Sequence, residues 1–262
     1  MRSDYCDAEW KTRCELAALY RVLAHYRMTD HIYTHISARV PGTDKDHFLI
    51  NPYGLMFHEI TASSLVKIDT EGNIIENVNQ DRQRVNTAGF MIHSAVHMAR
   101  HDISCVAHTH TAAGIAVSAQ EHGLLPISQH ALMFYGRTSY HNYEGIATDE
   151  AERARLVKDL GNNKAMILRN HGLLAAGRTI ADAFVVLYYL ERACQIQISA
   201  LAGGSELNFP PEAVRQHTSD QFAELDNGDT FAIDTGGVQS FQQVSFDAAV
   251  RLIKDEFPLY NC

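Results

Sequence analysis

The sequence predicts a single layered α/β domain, and three observations carry that expectation. Short apolar or alternating runs are interleaved with longer stretches of helical apolar spacing over residues 8–204. Gly, Pro and Asp clusters punctuate those segments as turns, and neither an internal repeat nor a linker interrupts them before residue 203. The length of 262 residues, with 46% hydrophobic and 20% charged residues and no low-complexity tract, suits a folded chain with a sizeable core.

Residues 8–27 place Leu16, Leu19, Leu23 and Tyr26 on one stripe with Glu15 and Arg21 off it, so the chain opens with an amphipathic helix. The period then changes. "HISARV" and "HFLINP", split by the turn residues of "PGTDKD", predict a β-hairpin. In "TASSLVKIDTEGNII" Thr61 is placed to cap a short helical turn, and two strands are expected around Glu71 and Gly72. From Asn86 to Arg100, Phe90, Ile92, Val96 and Met98 suit a largely buried helix, and "HDISCVAHTH" returns to a strand. "TAAGIAVSAQ" reads as a small-residue helix and "GLLPIS" as a loop entering an extended segment. "DEAERARLVKDLG" is a surface helix stopped by Gly161. "KAMILRNHGLLAAG" holds two short apolar runs broken at Asn170 to Gly172. A long helix from Ile180 to about Leu201 gathers Phe184, Leu187, Cys194, Ile198 and Leu201 on one side. Glu191 shares that side, where it is expected to be hydrogen-bonded, with a role in a site as the alternative. Beyond Gly203 and Gly204 the composition turns polar and Gly-containing, then closes on amphipathic "FDAAVRLIKDEF". Residues 1–204 are therefore expected as the domain, and 205–262 as an extension on it or on a neighbouring subunit.

The formal charge of -9 without a Lys/Arg cluster argues against nucleic acid and anionic membranes as partners and points to a small-molecule or protein partner. No apolar run is long enough to span a bilayer and the N-terminus lacks a signal-peptide pattern, so a cytoplasmic location is expected. The five cysteines form no CxxC pair, which fits free thiols; Cys105 and Cys194 read as core residues.

With 15 histidines, position decides which ones matter. Residues i and i+2 of a strand share a face, so His108 and His110 in "CVAHTH" present both rings to one side. His171 in "LRNHGLL" stands at a sharp turn, with Gly172 relieving the backbone. Three neutral imidazoles around an open position are how a catalytic Zn²⁺ is held, and Fe²⁺, Mn²⁺ or Co²⁺ suit the same ligands. His93 and His97 in "HSAVH" have the spacing of a helical zinc pair. Ser94, however, stands where a metalloprotease needs its glutamate, so His93 is expected to be a hydrogen-bonded core residue. GxSxG, P-loop and dinucleotide fingerprints are missing from the sequence.

Over roughly residues 10–202 the chain resembles the class II aldolase/adducin family. "FLINPYGLMFHEITASSLVKIDTEGNII", "HSAVHMARHDISCVAHTH" and "ILRNHGLLAAGRTIADAFVVLYYLERA" carry the resemblance in register with "HISARV". "NPYGL", "TASSLVKID" and "GLLPISQHAL" look closest to its adducin-like branch. The resemblance implies a central, mostly antiparallel β-sheet flanked by helices on both faces, and a homotetramer with sites between subunits. It also carries metal ligation to His108, His110 and His171. In the family's sugar-phosphate aldolases the ion acts as a Lewis acid on a carbonyl. By position the resemblance suggests His35, Asn51 and Gly54 as substrate-binding residues. It places His130 near a catalytic acid supplied by an adjacent chain.

The departures narrow the function. Where the family keeps its acid/base glutamate this chain has Gly89, a loss worth about 10² to 10⁴ in rate for a step that needs a positioned carboxylate. Thr34 and His35 replace a glycine-asparagine pair, and Thr87 and Ala88 a serine pair, which disfavours a phosphorylated sugar. The expectation is a metal-dependent lyase, aldolase-like or a decarboxylase, acting on a small unphosphorylated carbonyl or acid. His35 or His130 would carry any proton that must move. The alternatives are a non-catalytic, adducin-like scaffold for cytoskeletal contact, and a non-heme iron oxygenase on the same ligands.

Overall fold

The computed structural model describes residues 5–42, 46–75, 84–145, 150–226, 240–256 and 260–261. Its strands are β1 (His35–Arg39), β2 (Phe48–Ile50), β3 (Val66–Ile68), β4 (Cys105–Thr109), β5 (Thr138–His141), β6 (Ala165–Leu168) and β7 (Gly172–Gly177). Among the described residues they form one sheet in the order β3-β2-β1-β4-β7-β6-β5, antiparallel except where β5 runs parallel to β6. The helices are α1 (Asp7–His25), α2 (Thr87–Ala99), α3 (Ala112–Ser118), α4 (Gln129–Leu132), α5 (Glu150–Leu160), α6 (Ile180–Ala202), α7 (Glu212–Asp226) and α8 (Phe241–Ile253).

Alternation along the central strands divides the core between two faces. Cys105 and Ala107 of β4 join Leu173 and Ala175 of β7 in a core that α1, α6 and α8 complete through Leu19, Leu187 and Phe246. Val106, Leu174, Ala176 and Met166 face the other way, against Ile92 and Val96 of α2 and Leu156 and Leu160 of α5. His108 has the parity of Val106, and His35 and Ser37 point to that same side because Ile36 and Ala38 belong to the opposite core. The sheet face beneath α2 is thus where histidines gather.

The hairpin of β1 and β2 pairs Ser37 with Ile50 as expected, although residues 43–45 of its turn lie outside the described residues. Around Gly72 the second expected strand is reduced to a bridge between Ile68 and Ile74, and residues 76–83 again lie outside the described residues. The expected extended segment after "GLLPIS" is instead the short helix α4. Ser128 caps it, its Oγ accepting from the Ala131 N–H at 3.1 Å. Strand β5 carried no apolar signal because its inward residues, Ser139 and His141, are polar. Met98 and Leu201, expected on buried stripes, are exposed, each one residue before the end of its helix. Glu191 is buried and accepts from the Thr111 hydroxyl and, at 2.7 Å, from Gln195 Nε2. Cys105 and Cys194 are buried free thiols, and Cys262 lies outside the described residues. In the extension, Phe246, Ala249 and Ile253 of α8 sit in the same core as α1 and α6, with the Phe246 ring 5.7 Å from that of Phe184. Residues 227–239 of the extension are outside the described residues. Among the described residues no helix is long and apolar enough to cross a membrane.

Candidate metal centre

Three loops and strand ends deliver the histidines to one point. His108 is the fourth residue of β4, and His110 follows one residue past the strand's end. His171 lies in the three-residue turn between β6 and β7, closed by Leu168 pairing with Gly172. The backbone demand in that turn falls on Asn170, whose φ of 56° is one that Asn tolerates better than most residues. Gly172 serves a different purpose from the one expected. A Cβ there would stand 2.3 Å from the Thr109 carbonyl oxygen, so the glycine lets β7 pass close beneath β4 beside the histidines.

The ring centroids of His108, His110 and His171 lie 4.6 to 4.8 Å apart, and one nitrogen of each falls within 4.8 Å of the others. Hydrogen bonds assign the tautomers of two rings. His108 Nδ1 faces the Leu173 carbonyl at 2.9 Å and His110 Nδ1 faces Asp30 Oδ2 at 2.9 Å, so each Nδ1 is the donor. Both Nε2 atoms are then lone-pair acceptors, yet they stand 2.8 Å apart. A proton or a metal ion held between the two Nε2 atoms satisfies both rings at once. Burial holds His108 well below the ordinary imidazole pKa, with His171 and His110 adding to the depression, and burial lowers His171 to about 4. Neutral rings are the form that binds a metal, and outward Nδ1–H bonds to a carbonyl and a carboxylate are the usual supports of such ligands. The residues present fit a divalent transition ion.

A cavity of about 380 Å³ opens over these rings, lined also by Tyr33, His35, Asn86, Gly89, Ile92, Tyr143 and Gly145. None of the described lining residues is Lys, Arg, Asp or Glu. His35 is buried in its wall, and burial, reinforced by His110, lowers its pKa to about 4.

The other expected site residues lie elsewhere in the chain. Asn51 is buried and accepts a 2.8 Å hydrogen bond from Tyr20, tying β2 to α1. Gly54, at a φ of 102°, belongs to the following turn; neither residue lines the cavity. His130 sits half-buried on α4, its ring 5.6 Å from that of Tyr189 on α6, and is likewise absent from this lining. Sequence patterns missed Asp30 because its link to His110 spans 80 residues and no periodicity marks it. They also missed Tyr33 and Tyr143, both 55% exposed at the cavity. His93 and His97 face inward: their Nδ1 and Nε2 share Ser37 Oγ at 2.8 Å each, away from any open position. A smaller cavity of about 160 Å³ contains Lys164, which is neutralised by Asp182 and Asp226 at 2.9 and 3.0 Å.

Residues 14–198 match the family described as the Class II Aldolase and Adducin N-terminal domain. A Pseudomonas aeruginosa protein named "Putative aldolase class 2 protein" is 49% identical over 254 residues, covering 97% of this chain and 93% of that one. Rat alpha-adducin is 46% identical over 199 residues, which is 76% of this chain but 27% of the adducin. Among solved structures, an aldolase II superfamily protein from Pseudomonas syringae superposes with a TM-score of 0.90 at 48% identity, covering 100% of this chain and 99% of the other. The L-fuculose 1-phosphate aldolase of Glaciozyma antarctica PI12 gives 0.78 at 31% identity, over 96% and 92%.

Proposed function

Because this chain belongs to the class II aldolase and adducin family, we propose that it is a metal-dependent carbon–carbon lyase acting on a small, unphosphorylated carbonyl or acid. The observation that carries the reading is the convergence of His108, His110 and His171 beneath an open cavity, with one ring nitrogen of each within 4.8 Å of the others. His108, His110 and His171 would hold the ion, Zn²⁺ first and Fe²⁺, Mn²⁺ or Co²⁺ as other candidates. The bound ion would polarise a substrate oxygen and so receive charge as the carbon–carbon bond breaks. Asp30 and the Leu173 carbonyl keep the two Nε2 atoms aimed inward.

The cavity's other residues narrow the substrate. The described lining holds no Lys or Arg to give a phosphate its counter-charge. Among the described lining residues there is no carboxylate, and with Gly89 bare they offer no strong base for a C–H bond. Decarboxylation of an oxo or hydroxyaryl acid needs an electron sink but no such base, and it fits these residues better than aldol cleavage. In a cytoplasmic homotetramer with sites between subunits, His130 of an adjacent copy would return the proton. The scaffold reading draws on the adducin similarity, but three converging imidazoles give an ion a place that a purely structural head does not need.

Elemental analysis of protein purified without chelator tests the reading first, with about one transition ion per chain expected. The loaded protein is then assayed against oxo acids, hydroxyaryl acids and ketose phosphates. Turnover of an unphosphorylated acid is expected; turnover confined to ketose phosphates would overturn the substrate class, and metal-free, inert protein would favour the scaffold.

A further inference from the structure

We propose that His35 is a substrate-contacting residue, its imidazole hydrogen-bonding an oxygen of the ligand held over His108, His110 and His171, with Gly89 left bare to berth its ring. This rests on the metal-centre reading above and extends it to the neighbouring strand, where His35 of β1 pairs with His108 of β4. His35 is 5% exposed, lines the same cavity as the three histidines, and has no hydrogen-bond partner at either Nδ1 or Nε2. Among the described residues it is the one buried histidine with both nitrogens unpartnered. Its neighbours are committed: His93 and His97 to Ser37, His108 to Leu173, His110 to Asp30. Leaving two ring nitrogens unsatisfied in a protein interior is costly, and a ligand oxygen entering the cavity relieves that cost.

Gly89 accounts for how the ring fits. A Cβ at position 89 would stand 2.4 Å from both Nδ1 and Cε1 of His35, so any side chain there evicts the imidazole. Glycine at this point of α2 supplies space rather than an unusual backbone angle. The two positions form one unit, in which a bare helix turn admits a hydrogen-bonding ring from β1. The ligand chemistry that suits it is a small acid with adjacent oxygens, one pair reaching the ion and another oxygen reaching His35. Oxalate is the simplest such probe.

The test uses the full chain loaded with Co²⁺, whose visible absorption reports oxalate binding. His35→Leu is expected to raise the oxalate dissociation constant about 10- to 100-fold, the worth of one hydrogen bond to a charged group. Cobalt uptake should stay at the wild-type level, and the melting temperature should not fall. His35→Gln should restore part of the affinity. Gly89→Ala should weaken oxalate to the same degree as His35→Leu, and should add nothing when combined with it. Unchanged oxalate affinity in His35→Leu and His35→Gln, with cobalt retained, would overturn this proposal alone. Loss of cobalt in both variants would make His35 part of the metal site and overturn it too. Failure of the wild-type chain to take up cobalt would overturn the metal centre and this proposal together.

Discussion

Two histidine pairs lie on the same side of the sheet, His108 with His110 at the end of β4 and His93 with His97 on α2, and among the described residues the β4 pair lines the cavity of about 380 Å³ while the α2 pair does not. Each pair has a spacing that could hold a metal. On β4 the Nδ1 atoms are turned outward to Leu173 and Asp30, which leaves the Nε2 lone pairs to converge. On α2 the two rings close on a single hydroxyl, Ser37 Oγ, and His97 stacks on Phe48 with centroids 4.6 Å apart. The difference teaches that what a pair's second nitrogens bond to decides whether the rings are free to take a metal, and spacing alone does not decide it.

The largest effect that would break this contrast comes from the double substitution His108→Ala with His171→Ala, which should abolish metal content measured by elemental analysis. Full occupancy in that variant would move the ion elsewhere, with the α2 pair as the first suspect. A smaller effect probes the outward bonds. Asp30→Ala frees His110 Nδ1 and should weaken metal affinity about 10- to 100-fold in a chelator competition, the usual cost of losing a ligand's support.

The α2 pair should instead report on folding. Burial, with Arg39 next, lowers the His97 pKa from 6.5 to about 3. The unfolded chain therefore binds the proton more readily. The contribution of a neutral His97 is complete above pH 6.5 and is lost as pH falls toward about 3, amounting to about 2 kcal/mol by about pH 5. Urea unfolding between these pH values should show at least that slope, since His35, His93, His108 and His171 are depressed in the same direction, and His97→Gln should reduce it by one group's share; an unchanged slope would place the acid sensitivity in the other groups. An effect of similar size is expected from Ser37→Ala, which strands one nitrogen of each ring. It should cost about 1–3 kcal/mol of stability while leaving metal content at the wild-type level. A joint loss of both would show that the two clusters are coupled.

Much of the architecture was legible because its signals are local. The stripe of Leu16, Leu19 and Leu23, the apolar runs around Asn170, and the stop at Gly161 each follow from spacing over a few residues. Strand β5 escaped because its buried positions are Ser139 and His141, the latter held at 2.8 Å by Asp159 of α5, so polarity disguised an inward face. The helix at Gln129–Leu132 escaped because four residues carry too little periodicity to read, although Ser128 was its cap in plain sight. The histidine cluster was legible in part: His108 and His110 announce themselves by alternation and His171 by its place at a turn, while their convergence on one point depends on how β4 pairs with β7 and β7 with β6.

By itself the sequence determined which residues alternate, which turns are tight, and that the family's carboxylate position holds Gly89. Those are properties of neighbouring residues, and covalent geometry propagates them faithfully over one or two turns of chain. Only the tertiary structure decided that Asp30 orients His110 across 80 residues, that Gly172 clears the Thr109 carbonyl, and that the space above Gly89 is filled by His35. Each of these is a contact between distant segments, and its existence depends on how the sheet brings β1, β4 and β7 side by side beneath α2.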